Sequence, residues 1–301
     1  MSYHQVFTLD LNFLGKPQAI AAYLIPHKGG AALVECGPGS TRDTLVSRLA
    51  EYGYLPQDIT DVFLTHIHLD HSGAAGWLAN QGAQIHVHQL GAPHLQNPEK
   101  LLASAARIYG DMMDELWGEF IPVPPLNITI PEDGQVIKIN GLRLKVLETP
   151  GHANHHFSYL VEGICFTGDI GGVRMPGVRH LRLPMPPPEL NLEEWRASLH
   201  RLRQEEIRYI APTHFGIYAD PEWQFKQISS YLDEVESWMG KHLQGNKSFE
   251  QFKQEYMDWS NQRSKDQGLS LADVDAFELA NPNEMSSYGI YRYWQKSRQG
   301  T

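Results

Sequence analysis

Two cysteines in 301 residues, Cys36 and Cys165, are too few to staple a chain of this size and are not spaced as a zinc pair, so both are expected as reduced thiols. Long apolar runs are missing as well, since no stretch approaches the roughly 18 residues of a membrane-spanning helix. Positive charge is scarce: 25 Lys and Arg stand against 35 Asp and Glu, for a formal charge of -10. A surface of that sign repels nucleic acid and anionic lipid, and no compensating basic patch is found. Met1 to Gln5 lack the basic start and apolar stretch of a secretory signal, and a cytoplasmic location is expected. These absences leave a small-molecule substrate as the expected partner, with no nucleic acid and no membrane; a homodimer is left open. Histidine, by contrast, is plentiful at 15 residues, and it is both the commonest metal ligand and the natural proton carrier near neutral pH.

Hydrophobic patterning gives an α/β chain. Val6 to Leu11, Ala19 to Ile25 and Ala31 to Val34 are expected as short strands joined by tight turns at Gly15-Lys16-Pro17 and His27-Lys28-Gly29-Gly30. Ser40 is expected to cap a helix with Leu45, Leu49 and Tyr52 at helical spacing, followed by a buried strand at Val62-Phe63-Leu64, a helix over Ala74 to Leu78 and a strand at Ile85 to His88. Pro98 to Trp117 is predicted to be a helical insertion, more apolar and aromatic than a solvated connector. Leu142 to Val146 alternates as a half-buried strand. A stiff Met185-Pro186-Pro187-Pro188 segment leads to Asn191 and Glu194, spaced as a capping box for a helix carrying Leu192, Trp195, Leu199 and Leu202. The last clear strand is Ile207 to Ile210. Asp220-Pro221-Glu222 then marks a helix start, opening a C-terminal region of three or four helices over 221–301.

The strongest chemical signal is Thr65-His66-Ile67-His68-Leu69-Asp70-His71-Ser72-Gly73, where a buried strand ends and a small-residue turn leads into a helix. Period-two alternation aims His66 and His68 the same way, and the turn swings Asp70 and His71 round to them. Thr149-Pro150-Gly151-His152, Phe166-Thr167-Gly168-Asp169 and Ala211-Pro212-Thr213-His214 each place a further ligand-type residue directly after an apolar run and a turn. Open sheets assemble their sites from such loops at strand ends.

This set resembles the metallo-β-lactamase superfamily, with its His-x-His-x-Asp-His motif, later His, bridging Asp and final His in that order, over roughly residues 5 to 220. The resemblance implies a four-layer αββα sandwich, with 1–220 as the catalytic domain and 221–301 as a helical region packed on it. It implies one metal bound by His66, His68 and His152, a second bound by Asp70, His71 and His214, and Asp169 bridging the two. Imidazole and carboxylate donors suit two Zn²⁺, although iron or manganese accepts the same mixture. A water between two such ions would become an attacking hydroxide near neutral pH, one ion would polarise the substrate carbonyl, and Asp70 would orient the nucleophile and carry its proton to the leaving group.

Other residues divide between structure and function. His155 and His156 suit either orientation of a ligand or plain packing. His86, His88 and His94 are expected to be structural, with His88 the one nearest the pocket. Arg174 and Arg179 fall in a Gly-rich run expected to be a solvated loop, with a substrate carboxylate as the alternative partner. Tyr109, Met112, Met113 and Trp117 are either core or a hydrophobic lid, and Cys165 is expected to be buried and inert. Glu35-Cys36-Gly37 departs from the Asp-Thr-Gly turn usual in the family. Asp169 and the missing signal argue against a true β-lactamase. Gly172 stands where acyl-homoserine lactonases carry tyrosine, and Arg292, Lys296 and Arg298 make a poor match to the glutathione-binding stretch of glyoxalase II. A small ester, thioester or lactone is the expected substrate, and an iron-dependent persulfide dioxygenase on the same scaffold is the alternative.

Overall fold

The computed structural model describes residues 5–243 and 248–297; the N-terminal residues Met1 to His4 and Arg298 lie outside them. The chain forms two compact units, one made of the residues up to Glu148 together with His155–Gly168, the other of Thr149–Asn154 and the chain from Asp169 onward.

In the first unit, strands β1 (Phe7–Asp10), β2 (Ala21–His27), β3 (Gly30–Val34), β4 (Ile59–Phe63), β5 (Gln84–His86) and β6 (Ile128–Thr129) form one sheet in chain order. β1 to β3 pair antiparallel as hairpins, whereas β3 to β6 pair parallel. Parallel strands need crossovers, and helices α1 (Arg42–Glu51), α2 (Leu69–Ser72), α3 (Ala75–Asn80), α4 (Ala92–Gln96), α5 (Glu99–Tyr109) and α6 (Met113–Trp117) occupy them. A second, antiparallel set comprises β7 (Val136–Ile139), β8 (Leu142–Glu148), β9 (Phe157–Val161) and β10 (Ile164–Phe166). The two sheets face each other across an aromatic core: Phe63 meets Tyr159 at 5.4 Å and Tyr23 meets Phe166 at 5.2 Å between ring centroids. The buried Tyr159 hydroxyl donates across that interface to the Leu64 carbonyl at 2.8 Å. β8 shows the expected alternation, with Leu142, Leu144 and Val146 inside and Arg143 outside.

The second unit holds α7 (Leu192–Leu202), strand β11 (Tyr209–Ala211) and four further helices, α8 (Pro221–His242), α9 (Phe249–Asp266), α10 (Leu271–Ala280) and α11 (Asn283–Ser297). Asn191 caps α7, its side chain accepting from the Glu194 N–H at 3.1 Å. Ser248 and Ser270 start α9 and α10 with reciprocal capping boxes to Gln251 and Asp273, which satisfy N–H groups the helix itself leaves unpaired. Among the described residues, no helix is long and apolar enough to cross a membrane.

Two expected caps are corrected by the structure. Ser40 lies inside a 3₁₀ turn, Gly39–Thr41, and its hydroxyl donates instead to the Leu116 carbonyl at 2.6 Å, which fastens the inserted helices to the start of α1. Asp220 precedes α8 without a side-chain cap bond, because its carboxylate is committed to Arg174. The insertion itself is helical as expected, but α5 buries only Ala105. It rests through Tyr109 on Trp117, at 5.0 Å, and Trp117 stacks in turn on Phe13 at 5.8 Å, leaving Ile108 and Met112 exposed.

Candidate metal centre

The first unit gathers its four ligand-type residues at the end of β4. Register places the ends of β3 and β4 side by side, with Val34 opposite Phe63, and the Glu35 N–H bonds to the Phe63 carbonyl at 3.0 Å. That pairing carries the Glu35 carboxylate beneath the histidine loop. Glu35 is fully buried and adopts a left-handed backbone at φ 64°, a conformation a side chain of this kind tolerates only when its surroundings fix it.

Glu35 Oε1 accepts from the Thr65 hydroxyl at 2.5 Å and from His71 Nδ1 at 2.9 Å. Because the Thr65 hydroxyl hydrogen is spent on Glu35, Thr65 Oγ1 serves as acceptor for His66 Nδ1 at 3.0 Å. A carboxylate can only accept, so both rings carry their proton on Nδ1 and present a bare Nε2. His66 Nε2 then faces His68 Nδ1 at 2.9 Å, and His71 Nε2 faces Asp70 Oδ2 at 3.5 Å. A lone pair aimed at a second imidazole nitrogen requires a proton or a cation between them. His155 and His156 complete the cluster, their rings stacked on His66 at centroid distances of 6.1 and 5.1 Å.

The second unit gathers the other three. His152 Nδ1 donates to the Pro184 carbonyl at 2.8 Å, which again leaves Nε2 as the nitrogen that could bind a cation. Asp169 is buried, and its two oxygens address different rings: Oδ2 lies 3.3 Å from His152 Nε2 and Oδ1 lies 3.6 Å from His214 Nε2. These separations exceed a good hydrogen bond. They match the spacing of about 3.4 Å that two donors keep when each binds the same tetrahedral zinc at about 2.0 to 2.2 Å. The residue before Asp169 must be glycine: Gly168 sits at φ 49°, and a Cβ there would lie 2.5 Å from Thr65 Oγ1 and 2.7 Å from His156 Nε2.

Helices brace this half of the site. The Trp195 indole of α7 donates to the Ile170 carbonyl at 3.1 Å, and the Gln224 amide of α8 donates to the Gly171 carbonyl at 2.8 Å, fixing the turn that carries Asp169. The His214 carbonyl accepts from the Arg174 N–H, and the Tyr218 hydroxyl spans the Phe215 and Arg174 carbonyls at 2.6 and 3.0 Å. Burial pushes the Tyr218 phenol up to about 12, so it stays a donor throughout the neutral range.

Several expectations are settled by these contacts. Arg174 is neither a solvated loop residue nor exposed to a substrate; it is buried, bidentate with Asp220 at 2.6 and 3.0 Å, bonded to Gln224, and sandwiched by Tyr218 and Trp223. The reason is that a buried guanidinium needs charged and aromatic partners, and Tyr218, Asp220 and the first turn of α8 supply them. Arg179 remains exposed above Trp223. His88 uses both ring nitrogens structurally, on Glu148 and the Leu90 N–H, and His86 pairs with Asp61 while stacking on Phe63. His94 is half-buried on α4. Cys165 is buried, and burial pushes the Cys36 thiol far above its ordinary value, with the Glu35 charge acting the same way.

A model of the metallo-beta-lactamase superfamily matches residues 15–214. The chain belongs to that superfamily. Among curated proteins, it is 25% identical over 220 residues to the metallo-beta-lactamase fold-containing protein ST1585 of Sulfurisphaera tokodaii, a match covering 71% of this chain and 80% of that protein. It is 26% identical over 215 residues to the atrochrysone carboxyl ACP thioesterase of Aspergillus fumigatus, covering 70% of this chain and 55% of the thioesterase. It is 30% identical over 147 residues to the hydroxyacylglutathione hydrolase of Aeromonas hydrophila, covering 49% and 44%. The chain thus spans about half the length of each of those two hydrolases. Among solved structures, the metallo-beta-lactamase family protein TTHA1429 of Thermus thermophilus superposes with a TM-score of 0.71 at 21% identity, over 97% of this chain and 93% of that one, which shows the shared fold. A metallo-beta-lactamase sandwich with a helical C-terminal region is therefore the architecture of this superfamily member.

Proposed function

We propose that this chain is a metal-dependent hydrolase that opens the carbonyl of a small ester, thioester or lactone, with two divalent cations, zinc by donor type, as its cofactors. The observation that carries the reading is the Asp169 carboxylate, buried, with one oxygen turned to His152 and the other to His214. Two further groupings are part of the proposal: a first group of His66, His68 and His152, and a second of Asp70, His71 and His214, all of them imidazoles or carboxylates that suit zinc. In this reading the first group holds one ion, the second group holds the other, and Asp169 serves both. When bound, such a pair supplies an acidified water and an electrophilic partner for a carbonyl oxygen.

The chain's own residues do the rest. Glu35 and Thr65 fix the tautomers of His66 and His71, Pro184 fixes that of His152, and each ring is held ready without reorganisation. Asp70 keeps part of its carboxylate open, at 20% side-chain exposure, and is assigned the proton that passes from the attacking water to the leaving group. The thioesterase and the hydroxyacylglutathione hydrolase among the relatives support hydrolysis of a carbonyl thioester.

The test is turnover of a panel of lactones and acyl thioesters by the wild type and by Asp169→Ala. Loss of all turnover in a folded variant is expected, and unchanged turnover would reject the reading. Protein made without added metal should carry two colourless divalent ions per chain. One iron per chain with a visible absorption band would favour the dioxygenase alternative instead.

A further inference from the structure

The second unit contains a feature that the metal ligands alone do not call for. Pro184, whose carbonyl takes the His152 Nδ1 proton, sits in a buried three-residue strap, Leu183-Pro184-Met185. Both flanks of that proline are pinned to the junction of α10 and α11. On one side the Asn281 amide donates to the Leu183 carbonyl at 3.1 Å; on the other the Met185 N–H donates to the Ser286 hydroxyl at 3.3 Å. Ser286 closes the loop by donating to Asn281 Oδ1 at 3.2 Å, and both side chains are buried. Further along α11, Gly289 lies so near the strap that a Cβ would fall 2.0 Å from the Met185 carbonyl oxygen and 2.6 Å from Pro186 C. The helix backbone thus abuts the strap directly. Proline itself has no N–H, so the Pro184 carbonyl has its direction set by its neighbours' bonds.

Building on the metal-centre reading above, we propose that Asn281, Ser286 and Gly289 are positioning residues for His152: the α10–α11 junction holds the Pro184 carbonyl in place, and that carbonyl aims the His152 ring at its ion. The last helices of the chain then act on the cation assigned to His66, His68 and His152, and not on the other, whose ligand His71 is oriented by Glu35. A group that orients a ligating imidazole through its second nitrogen commonly governs metal affinity by about 10- to 100-fold, whereas a helix that only stabilises the fold would lower melting temperature and weaken both ions alike.

The experiment loads the full chain with Co²⁺, whose visible bands report the coordination of each ion, and titrates it with a competing chelator. Ser286→Ala and Asn281→Ala are expected to weaken one of the two ions by about 10-fold or more and to change the band set that His152→Ala also changes, with the other ion retained. Ser286→Thr keeps the hydroxyl and should restore the wild-type spectrum. Gly289→Ala, which must push the strap or the helix aside, should show the same selective loss in any fraction that folds. If Ser286→Ala and Asn281→Ala leave both affinities and the spectrum unchanged while His152→Ala alters them, the positioning role is overturned and the metal centre stands. If the alanine variants weaken both ions equally, the helices are merely structural and the inference is likewise overturned. If His152→Ala itself changes neither spectrum nor affinity, the metal-centre reading fails first.

Discussion

His180 offers a quantitative test of how the helical unit is held together. Its ring is buried, hydrogen-bonded through Nδ1 to Gln267 at 2.6 Å, set edge-on to Phe277 at 4.9 Å and flanked by the guanidiniums of Arg182 and Arg263. Burial, aided by those two positive charges, lowers its pKa from 6.5 to about 4, against the opposing pull of Gln267. A folded-state value below the unfolded one means that the unfolded chain binds the proton first. The stabilisation is therefore complete above about 6.5, drains away as pH falls and is spent near 4. At about 1.4 kcal/mol per pH unit the full gap amounts to about 3 kcal/mol, of which about 2 to 3 is lost between about pH 7 and about pH 4.5. His180→Gln removes the titrating group and keeps polar hydrogen-bonding capacity. Urea denaturation of both proteins across this range isolates the contribution, because every other titration is shared and cancels in the difference. The wild type should lose about 2 to 3 kcal/mol relative to the variant on going from about pH 7 to about pH 4.5. A stability difference that stays flat with pH would refute the account of an imidazole kept neutral by burial beside two guanidiniums.

Two further outcomes follow from single contacts. Tyr159→Phe removes the hydroxyl that bridges the facing sheets to Leu64, and a loss of about 1 to 2 kcal/mol in denaturant unfolding is expected, since a buried carbonyl is left without that donor; no change would show that water replaces it freely. Glu35→Ala deprives Thr65 and His71 of their common acceptor and should weaken zinc binding by about 10- to 100-fold in chelator competition, with Glu35→Gln intermediate because it keeps an oxygen; wild-type affinity in Glu35→Ala would remove Glu35 from the site.

The ligand-type residues stand out in sequence because they lie in local order. His66, His68, Asp70 and His71 share one strand end, and His152, Asp169 and His214 each follow an apolar run and a turn, so the alternation of side chains and the turn residues already mark them. Strands β2 and β3 are legible from their largely aliphatic runs, Ala19 to Ile25 and Ala31 to Val34, set on either side of the His27-Lys28-Gly29-Gly30 turn. What supports the ligands is not. The acceptor for His152 is a backbone carbonyl at Pro184, 32 residues away, and a carbonyl leaves no residue signature. Glu35 stands out only as a departure from the family's usual turn, although a longer carboxylate reaching two neighbours explains it. Arg174 and Asp220 mislead because each has a strong local role, loop and cap, that a partner 46 residues away overrides. Ser40 fails as a cap for the same reason, its hydroxyl being drawn to Leu116 across 76 residues.

In the proposed hydrolase, Asp169 would serve two cations. Anomalous diffraction from crystals of the protein as purified, collected on either side of the zinc edge, addresses it most directly. Two zinc peaks are expected, one beside His66, His68 and His152 and one beside Asp70, His71 and His214, with an Asp169 oxygen facing each. A map with no peak, or with a lone peak remote from Asp169, would contradict the account.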